Sequence, residues 1–234
     1  MCSSDLGEAL AGSSNTGVDP ASLSRVAQEV LSLRDLGVQV AVVVGGGNYF
    51  RGRMAEGWGI SRAEADNIGM LGTVMNALML RGVLTARTDV DVRVMTAVPM
   101  QSVAEPFIRL RAIRHLEHGS IVILAGGIGQ PYVTTDYPAV QRALELDTDA
   151  LLVAKRGVDG VYDSDPKINP AARRYEQLTY DEAIAAGVRV MDTSAFVLAN
   201  EQSLTMHVFD VAAVGVMRQI CEGAELGTRI SAKP

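Results

Sequence analysis

The chain has 234 residues, 48% of them hydrophobic and 21% charged, with a formal net charge of −6. That length supports a full hydrophobic core, and the acidic balance excludes the basic face needed to wrap polymeric nucleic acid, though not a small phosphorylated ligand. Two distant cysteines, Cys2 and Cys221, suit a reducing, cytoplasmic compartment, and the longest apolar run, Val38 to Val44, is too short for a membrane span.

The opening MCSSDLGEALAGSSNTGVDP reads as loop-like, with no strand or helix before it and no pattern of an export signal. Asp19-Pro20 starts a helix, since Asp can cap it and Pro suits its first turn; Leu23, Val26, Val30 and Leu33 carry it to Gly37. Val38 to Val44 is a β-branched run with little alternation, as in a strand buried on both faces of a parallel sheet. Ala63 to Leu84 is predicted as a long helix, Val90 to Met95 as a strand and Glu105 to His118 as a helix. Ser120 to Gly127 is a second buried strand, Asp136 to Leu146 a helix and Ala150 to Lys155 a strand. Short helices follow over Thr179 to Ala186 and Asp192 to Asn200, then a strand over Thr205 to Asp210, a helix over Ala212 to Cys221 and a last strand in GTRI. This alternation predicts an α/β fold, a three-layer α/β/α sandwich with a mostly parallel central sheet, in a single domain over 1–234.

Ligands of open α/β sheets bind beyond the carboxyl ends of the strands. Three loops stand there: VVVGGGNYFRG, VILAGGIGQPYVTTD and VAKRGVDGVYDSDP. Glycines let backbone N–H groups approach an anion, and helix N-termini favour one. Two glycine loops and a basic–acidic loop point to two anionic ligands meeting over one sheet edge. No Gly-Lys dipeptide, GxGxxG or GxSxG occurs, which removes the Walker loop, weakens a dinucleotide site and removes the serine-hydrolase elbow. HLEH (His115, Glu117, His118) reads as a solvated helix end rather than a chelate, and the run Met70 to Leu80 as core. No protein-built metal site is expected.

GGGNYFRG, DNIGMLGTVMNAL, PYVTTD, GVDGVYDSDP, YEQLTYDEA, VMDTSAF and ELGTRI, in this order, closely resemble bacterial uridylate (UMP) kinases of the amino acid kinase superfamily. The likeness covers Gly7 to about Ile230, and the DNIGM helix singles out the UMP kinase branch from the aspartate, acetylglutamate and carbamate kinases. It implies transfer of a phosphoryl group from ATP with Mg²⁺ to UMP, giving UDP in pyrimidine nucleotide biosynthesis. It also implies a homohexamer built from dimers, activated by GTP and inhibited by UTP, with AGSSNTGVD as an oligomer-facing regulatory loop or simply a mobile one. Carried over by residue, Gly46 and Asp66 would meet UMP, with Ile128, Gly129, Gln130, Pro131, Tyr132, Val133, Thr134 and Thr135 lining it. Gly7, Gly47 and Arg51 would meet the ATP phosphates, and Arg156, Tyr162 and Asp165 the adenosine. Asp136 matches an aspartate that organises catalytic lysines. Lys155, the one lysine ending a core strand, is the expected transition-state cation, with Arg51 and Asp136 beside it in the chemistry. Relatives often carry Thr at Ile128 and Asn at Gln130, so those side-chain contacts differ here. Mg²⁺ is expected on the nucleotide phosphates.

One departure stands out. Such kinases begin with a hydrophobic strand ending in Lys-x-Ser-Gly-Glu; here GEAL (Gly7 to Leu10) is kept, Ser4 falls at the lysine, Leu6 at the serine, and the strand has no counterpart. By analogy with deleting one oxyanion donor, this loss removes about 3–4 kcal/mol of transition-state stabilisation, or roughly a hundred- to a thousandfold in rate. The residues therefore predict a poor or inactive kinase of lowered stability. They leave open whether residues 1–6 are native. Two other readings stand beside it: a non-catalytic nucleotide-binding or regulatory subunit, and a kinase for a carboxylate or carbamate, against which the DNIGM helix argues.

Overall fold

A computed structural model describes residues 6–14, 16–50, 54–55, 57–166, 168–188 and 190–233. The helices are α1 (Leu6–Leu10), α2 (Pro20–Arg34), α3 (Arg62–Thr85), α4 (Arg109–Glu117), α5 (Asp136–Glu145), α6 (Tyr180–Ala185), α7 (Thr193–Glu201) and α8 (Val216–Cys221). The strands are β1 (Ala41–Val43), β2 (Val92–Thr96), β3 (Glu105–Pro106), β4 (Ile121–Ala125), β5 (Leu151–Lys155), β6 (Val161–Tyr162), β7 (Arg174–Tyr175), β8 (Gln177–Thr179), β9 (Met206–Asp210) and β10 (Thr228–Ser231).

Among the described residues the strands form one set in the order β1-β4-β2-β3 and a second in the order β5-β9-β10-β8. Every pairing in the first set is parallel. In the second, β9 and β10 run antiparallel and the other pairs are parallel. β6 and β7 make a separate antiparallel ribbon. Alternate strand residues enter two different cores, as a pleated sheet covered on both faces requires. Val42, Val44, Ile121 and Ile123 pack with α2, α3 and α8. Ala41, Val43, Val122 and Leu124 pack with α4, α5, α6 and α7. The three-layer α/β/α sandwich follows from that division.

Local chemistry explains the helix starts. Asp19 accepts from Ser22 N–H at 2.8 Å with Pro20 in the first turn of α2. Ser61 caps α3, and Thr179 and Glu182 form a capping box at α6. By length and a mean hydropathy of 1.4 alone, α3 is long and apolar enough to cross a bilayer. It is instead a core helix, with Val74, Ala77, Leu80 and Leu84 buried in the protein.

Three expectations change. GEAL is helical, within α1, and Leu6 and Leu10 are fully buried in the core. Met1–Asp5, where the lysine and its strand were sought, lie outside the described residues. The helix expected from Glu105 begins only at Arg109, because Glu105–Pro106 pair with β2 as an edge strand. Proline lacks the N–H a central strand would need, and an edge tolerates that. The helix expected from Ala212 begins at Val216, since the Asp210 carboxylate accepts from Gly157 and Ala212 N–H and holds a turn there.

Candidate active site

The loops after β1 and β4 are both held by α3. Asn48 and Asn76, both buried, exchange amide hydrogen bonds, and Asn76 also donates to Gly45 O at 2.7 Å. Gly126 N–H donates to Thr73 Oγ1 at 2.7 Å. At Gly46 a Cβ would stand 2.4 Å from Gly69 O, so only glycine lets this loop lie on the α3 backbone. Gly126 has φ +74 and room for no side chain beside Thr96. Arg142, buried under the second loop, lies over the Phe107 ring and donates to Gly127 O.

Two cavities result. The first, about 280 Å³, is lined by Gly46, Gly47, Asp66, Ile128, Gln130, Val133, Thr134 and Thr135 among others. These are most of the residues expected around UMP, but they include Gly47, expected on the ATP side. Gly129, Pro131 and Tyr132 do not line it. Gly129 packs on Ala97, and exposed Tyr132 donates its N–H to Asp66 at 2.7 Å. Asp66 also receives both its oxygens' contacts from Arg62 at 2.9 Å, one turn earlier on α3. Arg62 lines the cavity and was not anticipated, although its i,i+4 spacing to Asp66 is visible in the sequence.

The second cavity, about 510 Å³, brings together Lys155, Arg156, Tyr162 and Asp165 with Gly160, Gly187 and Val190. Tyr162 Oη donates to Asp159 at 2.6 Å. That bond pushes the phenol up and, with Arg174 at 2.8 Å, holds the Asp159 carboxyl below its ordinary range against the effect of burial. Arg156 donates to Gly12 O, tying the third loop to the segment after α1.

An ion pair links the two walls, since Lys155 lines the second cavity and Asp136 follows Thr135 of the first. Lys155 Nζ, at the end of β5, is 3.8 Å from Asp136 Oδ1, at the first turn of α5, and both side chains are nearly buried. Asp136 also accepts from Asp192 N–H at 3.1 Å. Gly7 lies against Gly45 but lines neither cavity. Arg51 lies outside the described residues. His115 and His118 turn to different partners, Glu105 and Arg114 O. Among the described residues no three His, Cys, Asp or Glu side chains cluster as metal ligands.

The sequence profile of the amino acid kinase family matches residues 7–210. A uridylate kinase of Frankia casuarinae is 59% identical over 228 residues, 97% of this chain and 88% of that protein. The chain belongs to the uridylate kinases of the amino acid kinase family. Solved structures agree with that family. A UMP kinase from Bacillus anthracis superposes with a TM-score of 0.95 at 54% identity, covering 97% of this chain and 93% of its own. A UMP kinase from Ureaplasma parvum gives 0.90 at 31% identity, over 96% and 95%. The two cavities and the ion pair thus sit in a uridylate kinase fold that covers nearly the whole chain.

Proposed function

We propose that this chain transfers the γ-phosphoryl group of ATP to UMP, giving ADP and UDP, as a cytoplasmic enzyme of pyrimidine nucleotide biosynthesis. The observation that carries this reading is the ion pair that joins Lys155, lining the second cavity, to Asp136, next to Thr135 of the first, in a uridylate kinase chain. UMP occupies the first cavity, with Asp66 accepting from the ribose and Thr134, Thr135 and the glycine loop facing its phosphate. ATP occupies the second, with Arg156, Tyr162 and Asp165 around the adenosine and Gly7, Gly47 and Arg51 toward its phosphates. Phosphoryl transfer needs little covalent help; it needs two anions held in line and neutralised. Lys155 supplies a cation where charge develops, and Asp136 pairs with its ammonium. Mg²⁺ carried on the ATP phosphates adds neutralising charge.

Ser4 in place of the family's lysine lowers turnover in this reading. The protein acts as a homo-oligomer, a hexamer built from dimers; the outer face of α3 supports this, with Leu71 and Met75 about half exposed and no charge between Asp66 and Arg81. GTP activates through Ala11–Asp19, a segment tied to the site by reciprocal bonds between Gly17 and Asn48, and UTP inhibits. The test is a coupled assay of ADP release with UMP, CMP, acetylglutamate or carbamate as acceptor. UMP is expected to give the highest rate. UMP and ATP binding with no ADP release under any condition would establish a non-catalytic protein instead.

A further inference from the structure

We infer that Asp192 is a positioning residue for the acceptor site, fixing the Thr134–Asp136 corner from the start of α7. Asp192 stands at the N-cap of α7 with extended backbone, yet its side chain makes no capping hydrogen bond. Elsewhere in this chain Asp19, Ser61 and Thr179 occupy the same place and do cap their helices. The Asp192 carboxylate instead accepts from the Thr134 hydroxyl, on a loop 58 residues away in sequence. Its backbone N–H donates to Asp136 Oδ2 at 3.1 Å. One residue therefore grips both ends of the corner that leads from the first cavity to the ion pair. A helix cap turned away from its own helix marks a local preference yielded to a site.

The consequence for Thr134 is specific. Its one proton is committed to Asp192, and its oxygen accepts from Asp136 N–H at 3.3 Å. The hydroxyl is thus held in one rotamer at the wall of the first cavity. Releasing Asp192 frees that rotamer and loosens the first turn of α5, where Asp136 meets Lys155.

The inference about ligand affinity rests on the first cavity being the UMP site, so the experiment has one arm that does not. Amide hydrogen exchange over Thr134–Tyr137 is measured in the ligand-free protein and its Asp192→Ala and Asp192→Asn variants. Calorimetric titration with UMP and with ATP follows, adding Thr134→Val and the Thr134→Val/Asp192→Ala pair. Loss of a hydrogen bond to a charged acceptor predicts roughly tenfold or greater weakening of UMP binding in D192A. ATP binding stays within about twofold, since the two effects separate only if the coupling is local. Exchange over the corner speeds up in D192A. D192N, which keeps an acceptor oxygen for Thr134, retains most of the UMP affinity, and the double variant is no worse than T134V by more than the additivity error. Unchanged exchange over Thr134–Tyr137 in D192A overturns the inference, as does equal weakening of UMP and ATP, which would mark a general structural role. A parent protein that binds no UMP, with exchange still altered in D192A, would fail the UMP reading and leave the positioning role standing.

Discussion

Lys155 is the side chain on which the proposed chemistry turns. Its ammonium ends β5 next to Asp136 at the second cavity, nearly withdrawn from water, where a cation acts through a low dielectric. Replacing it by Met keeps the stem and removes the charge. By analogy with a lost oxyanion donor, turnover should fall a further hundred- to thousandfold, roughly, while UMP binding is kept. Single-turnover assays and UMP titration check both halves; a Lys155→Met protein with unchanged turnover would remove this residue from the chemistry. The sequence made Lys155 visible because it alone among three lysines ends a core strand. The glycine loop was visible too, but for a reason that the structure enlarges. Gly46 is there to let backbone meet backbone at Gly69, as well as to line a cavity. Asp192 could not be read in this way, since a Asp before a helix looks like an ordinary cap until its side chain is seen pointing elsewhere.

At the scale of elements, α3 works on both its faces. The inner face carries Asp66, Thr73 and Asn76, each bonded to a loop of the site. The outer face carries Leu71 and Met75 one turn apart near the middle of a 24-residue helix. A two-fold axis at that point would lay the helix against its antiparallel copy, as isologous contacts require. Leu71→Glu with Met75→Glu should therefore yield a smaller oligomer in light scattering, with the far-ultraviolet dichroism unchanged. A second element-level consequence concerns His207 on β9, paired in register with Arg229 on β10. Burial, then that guanidinium, holds the imidazole below its ordinary value. A folded pKa below the unfolded one means that the unfolded chain takes up the proton first. This contribution is complete above the unfolded value of about 6.5 and is lost as pH falls through the lowered folded value. His207→Gln should flatten the fall in melting temperature on that acid side. The helices α2 and α3 were legible because their apolar periods run for 15 and 24 residues, and β4 and β5 because each is an unbroken run buried on both faces. β3, β6 and β7 were not, because two residues cannot show a period and their pairing depends on distant partners.

Across the whole molecule, the described strands fall into two sets that end at β1 and at β5, with α5 packed on both. Where these strands begin, a cavity of about 490 Å³ opens between Val38–Ala41 and Asp147–Leu152. Where β1 ends, Gly7 of α1 lies against Gly45. An extended segment leading into α1 and running parallel to β1 would thus start in the cavity and finish at the glycine loop. Strand spacing of about 4.8 Å and a layer of about 10 Å give such a segment a cross-section near ~50 Å². The cavity then holds roughly 10 Å of it, or about three residues. Each buried Val or Ile there contributes about 1.5–3 kcal/mol against about 1–2 kcal/mol of backbone ordering. The net gain is on the order of 2 kcal/mol, which in a domain of this size raises the melting temperature by roughly 4–8 °C. Replacing Met1–Leu6 by a hydrophobic strand ending in Lys-x-Ser should give that rise, measured by calorimetry, together with faster UMP turnover. The same strand ending in Met-x-Ser should keep the thermal gain and lose the rate. Stability follows the filling of the seam and rate follows the lysine, so a thermal gain that vanished with the lysine, or a rate that survived without it, would show that the two do not separate.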